Sequence, residues 1–190
     1  MRFTRIRIFL VNQYEKEEKW LNEMAAKGFA MVSIRGGICY EFESCNPGEY
    51  IYRLELLENN ITSPESLHYI KFVEETGAVM IGTWFRWVYF RKKASEGEFM
   101  LFSDIASKVT HYQRIRRIII PVLFLEGFIT LTNFHYYIGK VKDSYQLGSV
   151  MNMDIFCAIL LGMIDLILIY LSLSLTWHIR KLKREQIIRE

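Results

Sequence analysis

Hydrophobic and polar positions follow two different rhythms along this 190-residue chain. As far as about residue 117 they change over short distances, with the periods of strands and amphipathic helices. Beyond it lie two long apolar runs, Ile118 to Ile138 and Ile155 to Trp177. Each reaches the roughly 20 residues that a helix needs to cross about 30 Å of hydrocarbon. The pattern predicts a folded domain followed by a two-helix transmembrane hairpin.

Within the first region the pattern repeats. An offset of 49 lays Leu21, Met24, Gly28, Met31, Val32 and Tyr40 on Ile70, Val73, Gly77, Met80, Ile81 and Tyr89. Both glycines follow amphipathic runs and supply a left-handed helix stop. The spacing predicts a helix over 15–27, with Trp20, Leu21 and Met24 on one face and Glu15 four residues before Lys19 on another. A second helix is predicted over 64–76, capped by Ser63, begun by Pro64, with Leu67, Ile70 and Val73 as its inner stripe. Strands are predicted before each helix, over 5–11 (Ile6, Ile8 and Leu10 alternating) and 50–57. A hairpin follows each glycine, turning at Arg35-Gly36-Gly37 and at Phe85-Arg86, and Asn46-Pro47-Gly48 separates the halves.

The expected fold is therefore α+β. A duplicated strand-helix-strand-strand unit, with repeats at about 5–44 and 50–93, forms an antiparallel sheet with two helices on one face. In topology alone this resembles some bacterial effector-binding domains, which hold ligands between their halves; a fold does not fix a function. The domain is assigned to 1–102, an amphipathic linker helix capped near Ser103 to 103–117, the spans to 118–138 and 155–177, the outside loop to 139–154, and a basic tail to 178–190.

Charge sets the orientation. Arg114, Arg116 and Arg117 precede the first run, and Arg180, Lys181, Lys183 and Arg184 follow the second, whereas 139–154 holds only Lys140 and Lys142 as bases. Lys and Arg near a span stay on the cytoplasmic side, so both termini are expected there, in a two-span protein of the cell membrane. The stretch from Ile6 to Val11 is broken by Arg7 and has no cleavage site, so no signal peptide is expected. Residues 1–110 carry net charge −1 and residues 111–190 net +4. The basic excess is juxtamembrane, which favours the lipid bilayer as a partner and argues against direct nucleic acid binding. Cys39, Cys45 and Cys157 have no zinc-ligand spacing and are expected as free thiols.

Candidate chemistry is sparse. Each apolar run contains one acid, Glu126 and Asp165. At 1.5 Å per residue they lie about 12 Å and about 18 Å deep, levels at which an antiparallel hairpin brings them together. Two facing carboxylates in low dielectric do not both ionise. They could form a proton-sensitive switch or a cation site; the plainer alternative is a hydrogen-bonded clasp between helices or between copies in a homo-oligomer, with Asn133, Ser172, Ser174 and Thr176 as added polar glue. The second concentration, from Trp84 to Arg91, is heavily aromatic. Trp84, Phe85, Arg86, Trp87, Tyr89 and Arg91 offer a ligand, partner or lipid-headgroup surface, with core packing as the default for at least half of them. The linker helix can couple the domain to the spans or serve as a passive stalk. His68, His111, His135 and His178 are scattered and expected at surfaces or interfaces. There is no phosphate-cradling loop, serine nucleophile motif or metal-ligand set, so neither enzyme, cofactor nor metal is expected.

Three motifs carry a resemblance: Glu17-Glu18-Lys19-Trp20-Leu21-Asn22-Glu23-Met24-Ala25-Ala26-Lys27-Gly28, Pro47-Gly48-Glu49-Tyr50-Ile51-Tyr52-Arg53 and Trp84-Phe85-Arg86-Trp87-Val88-Tyr89-Phe90-Arg91-Lys92. Over about residues 5 to 117 the chain resembles the bacterial domain of unknown function 2812. That resemblance implies membrane spans after the domain and, in Gram-positive bacteria, genes for PadR-like transcription regulators nearby. It implies no catalytic residues. Together with the layout it points to a membrane-anchored binding module, a sensor or regulatory partner of a cytoplasmic protein or small effector. The alternative is a small transporter, or an accessory subunit of one, using Glu126 and Asp165.

Overall fold

The computed structural model describes residues 2–102, 105–143 and 150–189. It divides into two compact units, Met1–His111 and Tyr112–Glu190.

In the first unit both halves of the chain lay down the same elements. The first half gives β1 (Arg2–Ile6), α1 (Tyr14–Ala26), β2 (Phe29–Arg35) and β3 (Cys39–Ser44). The second gives β4 (Tyr50–Leu56), α2 (Pro64–Glu75), β5 (Val79–Trp84) and β6 (Trp87–Lys93). The α+β class and its duplicated unit are as the sequence predicts. Gly28 and Gly77 stop the two helices at φ 84° and 89°, and the Ser63 side chain accepts the Ser66 amide at the start of α2.

The strands divide between two three-stranded antiparallel sheets, ordered β1-β3-β2 and β4-β6-β5. In each half the last strand is central. The register slips between Met31 and Ser33 in β2, and again 49 positions later between Met80 and Gly82 in β5. These bulged strands are the ones that meet: a Cβ on Gly82 would stand 2.9 Å from Ile34 Cγ2. A bulge bends and twists its strand, so the two edges touch without joining into one ladder.

α1 buries Leu21 and Ala25 against Met31, Tyr40 and Phe42 of the first sheet and against Tyr52, Leu54 and Tyr89 of the second. α2 buries Ile70 and Val73 with Val88 and Phe90. Val88 and Phe90 alternate with Tyr89 along β6, so the two helices use opposite faces of the second sheet, which corrects the expectation of a single sheet with both helices on one face.

Two local expectations shift. The first strand stops at Ile6, which pairs with Cys39, because β3 begins at Cys39 and the turn of the first hairpin precedes it. Inward positions are Phe3 and Phe9, packed on the core, while Ile6 and Ile8 are exposed. The alternation was legible and its buried phase was the other one. On α2 the inner stripe is Ser66, Ile70 and Val73; Leu67 is exposed.

α3 (Ile105–Asp143) and α4 (Val150–Arg189) complete the chain. Linker and first span form one helix; Ser103, its expected cap, lies outside the described residues, as do 144–149 of the expected outside loop. Both helices are long and apolar enough to cross a membrane, over Ile105–Tyr136 and Ile155–Gln186. In the second unit Ile115 and Ile119 of α3 and Leu171, Leu175 and Ile179 of α4 are buried, whereas Phe124, Phe128, Leu131, Leu166 and Leu173 are exposed.

Candidate functional site

A concave site of the first unit grows from polar residues on α1. β4 is an edge strand, and its outward amides need partners. Glu18 and Asn22, one turn apart on α1, supply them. Glu18 Oε1 accepts the Leu54 amide at 2.7 Å, and Asn22 Oδ1 accepts the Tyr52 amide at 2.8 Å. The Asn22 amide nitrogen donates to the Tyr52 carbonyl at 3.2 Å and to the Glu18 carbonyl at 2.7 Å. A helix thus closes a sheet edge with side chains that imitate a neighbouring strand.

Beside this seam lies a cleft of about 390 Å³. Glu15, Glu18, Lys19 and Arg53 form its charged side; Met100, Leu101 and Phe102 form its apolar side, with Tyr14, Asn22 and Lys108 completing the lining. Burial pushes the Glu18 carboxyl up to about 7, against the Leu54 hydrogen bond and the nearby Arg53 and Lys108 charges, which lower it; Glu15 raises it further. Glu18 therefore takes or gives a proton near neutrality, in a cleft with three cations and an apolar wall.

The back of the cleft is a buried nest around His111. Its Nδ1 stands 3.5 Å from Glu55 Oε1, with side chains 0% and 2% exposed. Its ring lies 4.6 Å from Tyr14, 4.9 Å from Phe102 and 5.6 Å from Trp87, between ring centres. Tyr14 and Phe102 thus touch both cleft and histidine, and Lys108 reaches the cleft from the turn of α3 that precedes His111. The expectation of a surface or interfacial histidine is overturned at position 111. Sequence reasoning missed the pair because Glu55 and His111 are remote in sequence.

Deeper in the core, Glu17 Oε1 accepts hydroxyls from Tyr40 at 2.6 Å and Tyr89 at 2.7 Å. Burial raises the Glu17 carboxyl, opposed by both hydrogen bonds. It holds both tyrosine hydroxyls above their usual range, and the Glu17 charge adds to that.

The side chains of the aromatic segment are divided between core and surface. Tyr89 is core, and Trp87 packs partly buried beside Tyr14 at 5.7 Å. Arg86 donates to the Leu57 carbonyl, and Arg91 to the Met31 carbonyl at 3.3 Å while lying over the Tyr50 ring. Trp84 and Phe85 remain exposed, at the β5–β6 turn.

In the second unit Glu126 and Asp165 are half-buried, on α3 and α4. Glu126 Oε1, Asp165 Oδ1 and Thr130 Oγ1 are buried and accept no hydrogen bond among the described residues. No hydrogen bond or ion pair among the described residues joins the two acids. Gly127, Thr130, Asn133, Phe134, Cys157 and Leu161 line a nearby cleft of about 350 Å³. Asn133 and Thr176 donate to Ile129 and Ser172 of their own helices, so those donors serve as local helix bonds. Of the flanking bases, Lys181 lies over the Trp177 ring at 5.7 Å. Cys39, Cys45 and Cys157 are free thiols.

The family described as Protein of unknown function (DUF2812) matches residues 13–124, from the turn before α1 into the first apolar run. No curated protein and no solved structure matches the chain.

Proposed function

Because the chain belongs to the DUF2812 family, whose function is unknown, we propose from its own geometry that it is a membrane-anchored binding module for a small effector. The effector occupies the cleft beside Glu18. An anionic group meets Lys19, Arg53 or Lys108, a hydrogen-bonding group meets Glu18, and an apolar part rests on Met100, Leu101 and Phe102. One observation carries this reading: Tyr14 and Phe102 line the cleft and also pack on His111 of α3. An occupant that moves either ring alters the packing of the first turns of the helix that continues into the first apolar run.

In this reading the domain and both termini are cytoplasmic, and the spans hold the module at the inner leaflet. Its downstream partner is a cytoplasmic protein, for which a PadR-like transcription regulator is the named expectation. The test is native mass spectrometry of the full chain released from its own membranes. A small-molecule adduct on the wild type that is lost in Glu18→Gln/Lys108→Ala supports the reading; an adduct-free wild type whose melting no metabolite fraction shifts refutes it. Crosslinking before extraction reads the protein partner separately.

A transport reading has one observation in its favour: Glu126 Oε1 and Asp165 Oδ1 are buried without a hydrogen-bond partner among the described residues. It requires an oligomer, since two helices cannot enclose a path. Proton or cation flux in proteoliposomes that falls in Glu126→Gln and Asp165→Asn would favour it over the binding module.

A further inference from the structure

The two hairpins of the first unit end side by side, and the ends are unlike. Gly36 and Phe85 occupy equivalent places, 49 positions apart, and both are left-handed, at φ 62° and 51°. Glycine adopts that conformation without steric cost, whereas a bulky side chain there is strained. Phe85 is nevertheless 78% exposed. Its ring meets Trp84 edge-on at 4.8 Å. A Cβ on Gly37 would stand 2.5 Å from Trp84 Nε1, so the two turns touch through the indole.

More apolar surface collects at the same end. Ile38 follows Gly37 and is exposed. Its carbonyl accepts the Arg7 amide at 2.9 Å, which brings the exposed Ile6 and Ile8 alongside. Basic groups flank them. Arg35 is 75% exposed at its side chain, with Glu41 3.9 Å away, and Arg7 lies over the Phe9 and Trp20 rings at 5.0 Å. The wedge is also rigid, since the Arg86 guanidinium ties the second turn to the Leu57 carbonyl. Nothing in the core requires an exposed phenylalanine in a strained turn.

We propose that this end of the domain is a lipid-docking wedge. Phe85, Trp84 and Ile38 enter the boundary between headgroups and acyl chains of an anionic leaflet, and Arg7 and Arg35 pair with lipid phosphates. The mixture of apolar tip, indole and arginines is complementary in charge and polarity to that boundary, where aromatic residues with one polar edge and long basic side chains both settle. The chain itself carries two helices able to cross a bilayer, which keeps such a surface at high local concentration. Trp87, at the base of the tip, packs on His111, and the first apolar run begins seven residues further along that helix. A pre-shaped tip needs little ordering on contact.

The test uses the full chain in nanodiscs of phosphatidylcholine with or without phosphatidylglycerol, with dibrominated phosphatidylcholine as quencher. Trp84 emission is read as the difference between the wild type and Trp84→Phe, which retains Trp20, Trp87 and Trp177. Bromines placed near the headgroup are expected to diminish that signal, more strongly with phosphatidylglycerol present. Ile38→Ser/Phe85→Ser is expected to reduce the loss while the melting transition persists, and a Trp84→Phe/Phe85→Trp reporter should repeat the quenching from the neighbouring position. A signal that ignores brominated lipid and yields to aqueous iodide overturns the proposal. So does protection from iodide without quenching by lipid, which assigns the tip to a protein: a second copy if the protection vanishes with one chain per disc, another protein if it exists only in native membranes.

Discussion

Tyr40 and Tyr89, equivalent residues of the two repeats, donate their hydroxyls to one and the same oxygen, Glu17 Oε1. The repeat thus converges on a point that is not itself repeated, for Ser66 occupies the place in α2 that Glu17 holds in α1, and bonds the Asn59 carbonyl instead. One carboxyl joins the central strands of both sheets to the helix between them. Buried polar groups of this kind are tolerated because every alternative leaves one of them without a partner.

Replacing Tyr89 by Phe should therefore cost about 1–2 kcal/mol, and Tyr40→Phe a similar amount, as each removes one donor from a buried acid. Glu17→Gln keeps an acceptor oxygen and should cost less than Glu17→Ala, which removes the acceptor both hydroxyls share, leaves Tyr40 only its 3.5 Å approach to the Gly37 carbonyl, and opens a cavity. Denaturant unfolding of the detergent-solubilised chain measures the series. A Tyr89→Phe protein as stable as the wild type would remove Glu17 from its organising role.

Much of this scaffold can be read in the sequence, and the reasons it stops are physical. Gly28 and Gly77 announce helix ends through a conformation that only a local rule governs. The Tyr40 and Tyr89 correspondence is visible as an offset. Ile6 and Ile8 mislead because alternation gives two faces without saying which meets a core; that depends on how β1 is laid against β3, which begins at Cys39 opposite Ile6. Leu67 is exposed because its counterpart, Glu18, faces a strand edge that the second half does not present to α2. The cleft itself joins α1, β4, residues 100–102 and α3, and no local pattern reports such a meeting. Its one sequence signal is the Glu18 and Asn22 pair beside an apolar stripe, a polar i, i+4 couple with donors and acceptors for a strand edge. The Glu55–His111 contact has no signal short of the fold.

The Glu18 carboxyl gives the domain a pH dependence with a defined sign. Its folded value is near 7 and its ordinary value 4.5. Below pH 4.5 the group is protonated folded or unfolded. Between pH 4.5 and 7 the unfolded chain releases the proton first, so stability falls as pH rises through that window and levels off above it. Glu18→Gln retains an acceptor for the Leu54 amide and removes the titration. The variant should gain on the wild type as pH rises from 4.5 to 7, in melts followed at constant ionic strength; parallel curves across the window would contradict the assignment.

Glu55 and His111 should show themselves as a coupled pair. Both side chains are buried, so Glu55→Leu or His111→Phe alone should cost about 1–3 kcal/mol by depriving a buried polar group of its neighbour. The double variant should cost clearly less than the sum of the two. The double-mutant cycle reads the interaction directly, and strict additivity would mean that the 3.5 Å approach contributes nothing to stability. Because Tyr14 and Phe102 separate this pair from the cleft, the cycle also indicates how firmly the first turns of α3 are held.

The last prediction concerns Phe85, where stability and contact with lipid should pull apart. A residue with a Cβ held in the left-handed region costs about 1–2 kcal/mol, and glycine there removes the strain. Glycine also enlarges the freedom of the unfolded chain, which offsets about 0.4–1 kcal/mol of that gain. Phe85 is largely exposed, so little burial is lost with its ring. Phe85→Gly should consequently stabilise the domain by up to about 1.5 kcal/mol, the difference between these two terms. The same substitution should weaken the quenching of Trp84 by brominated lipid. A protein selected for stability alone would carry glycine at this turn, as it does at Gly36. If Phe85→Gly destabilises the protein instead, the ring is packing on the domain and the strain has a structural cause. If it stabilises the protein and leaves the lipid signal untouched, Trp84 and Ile38 carry the contact without it.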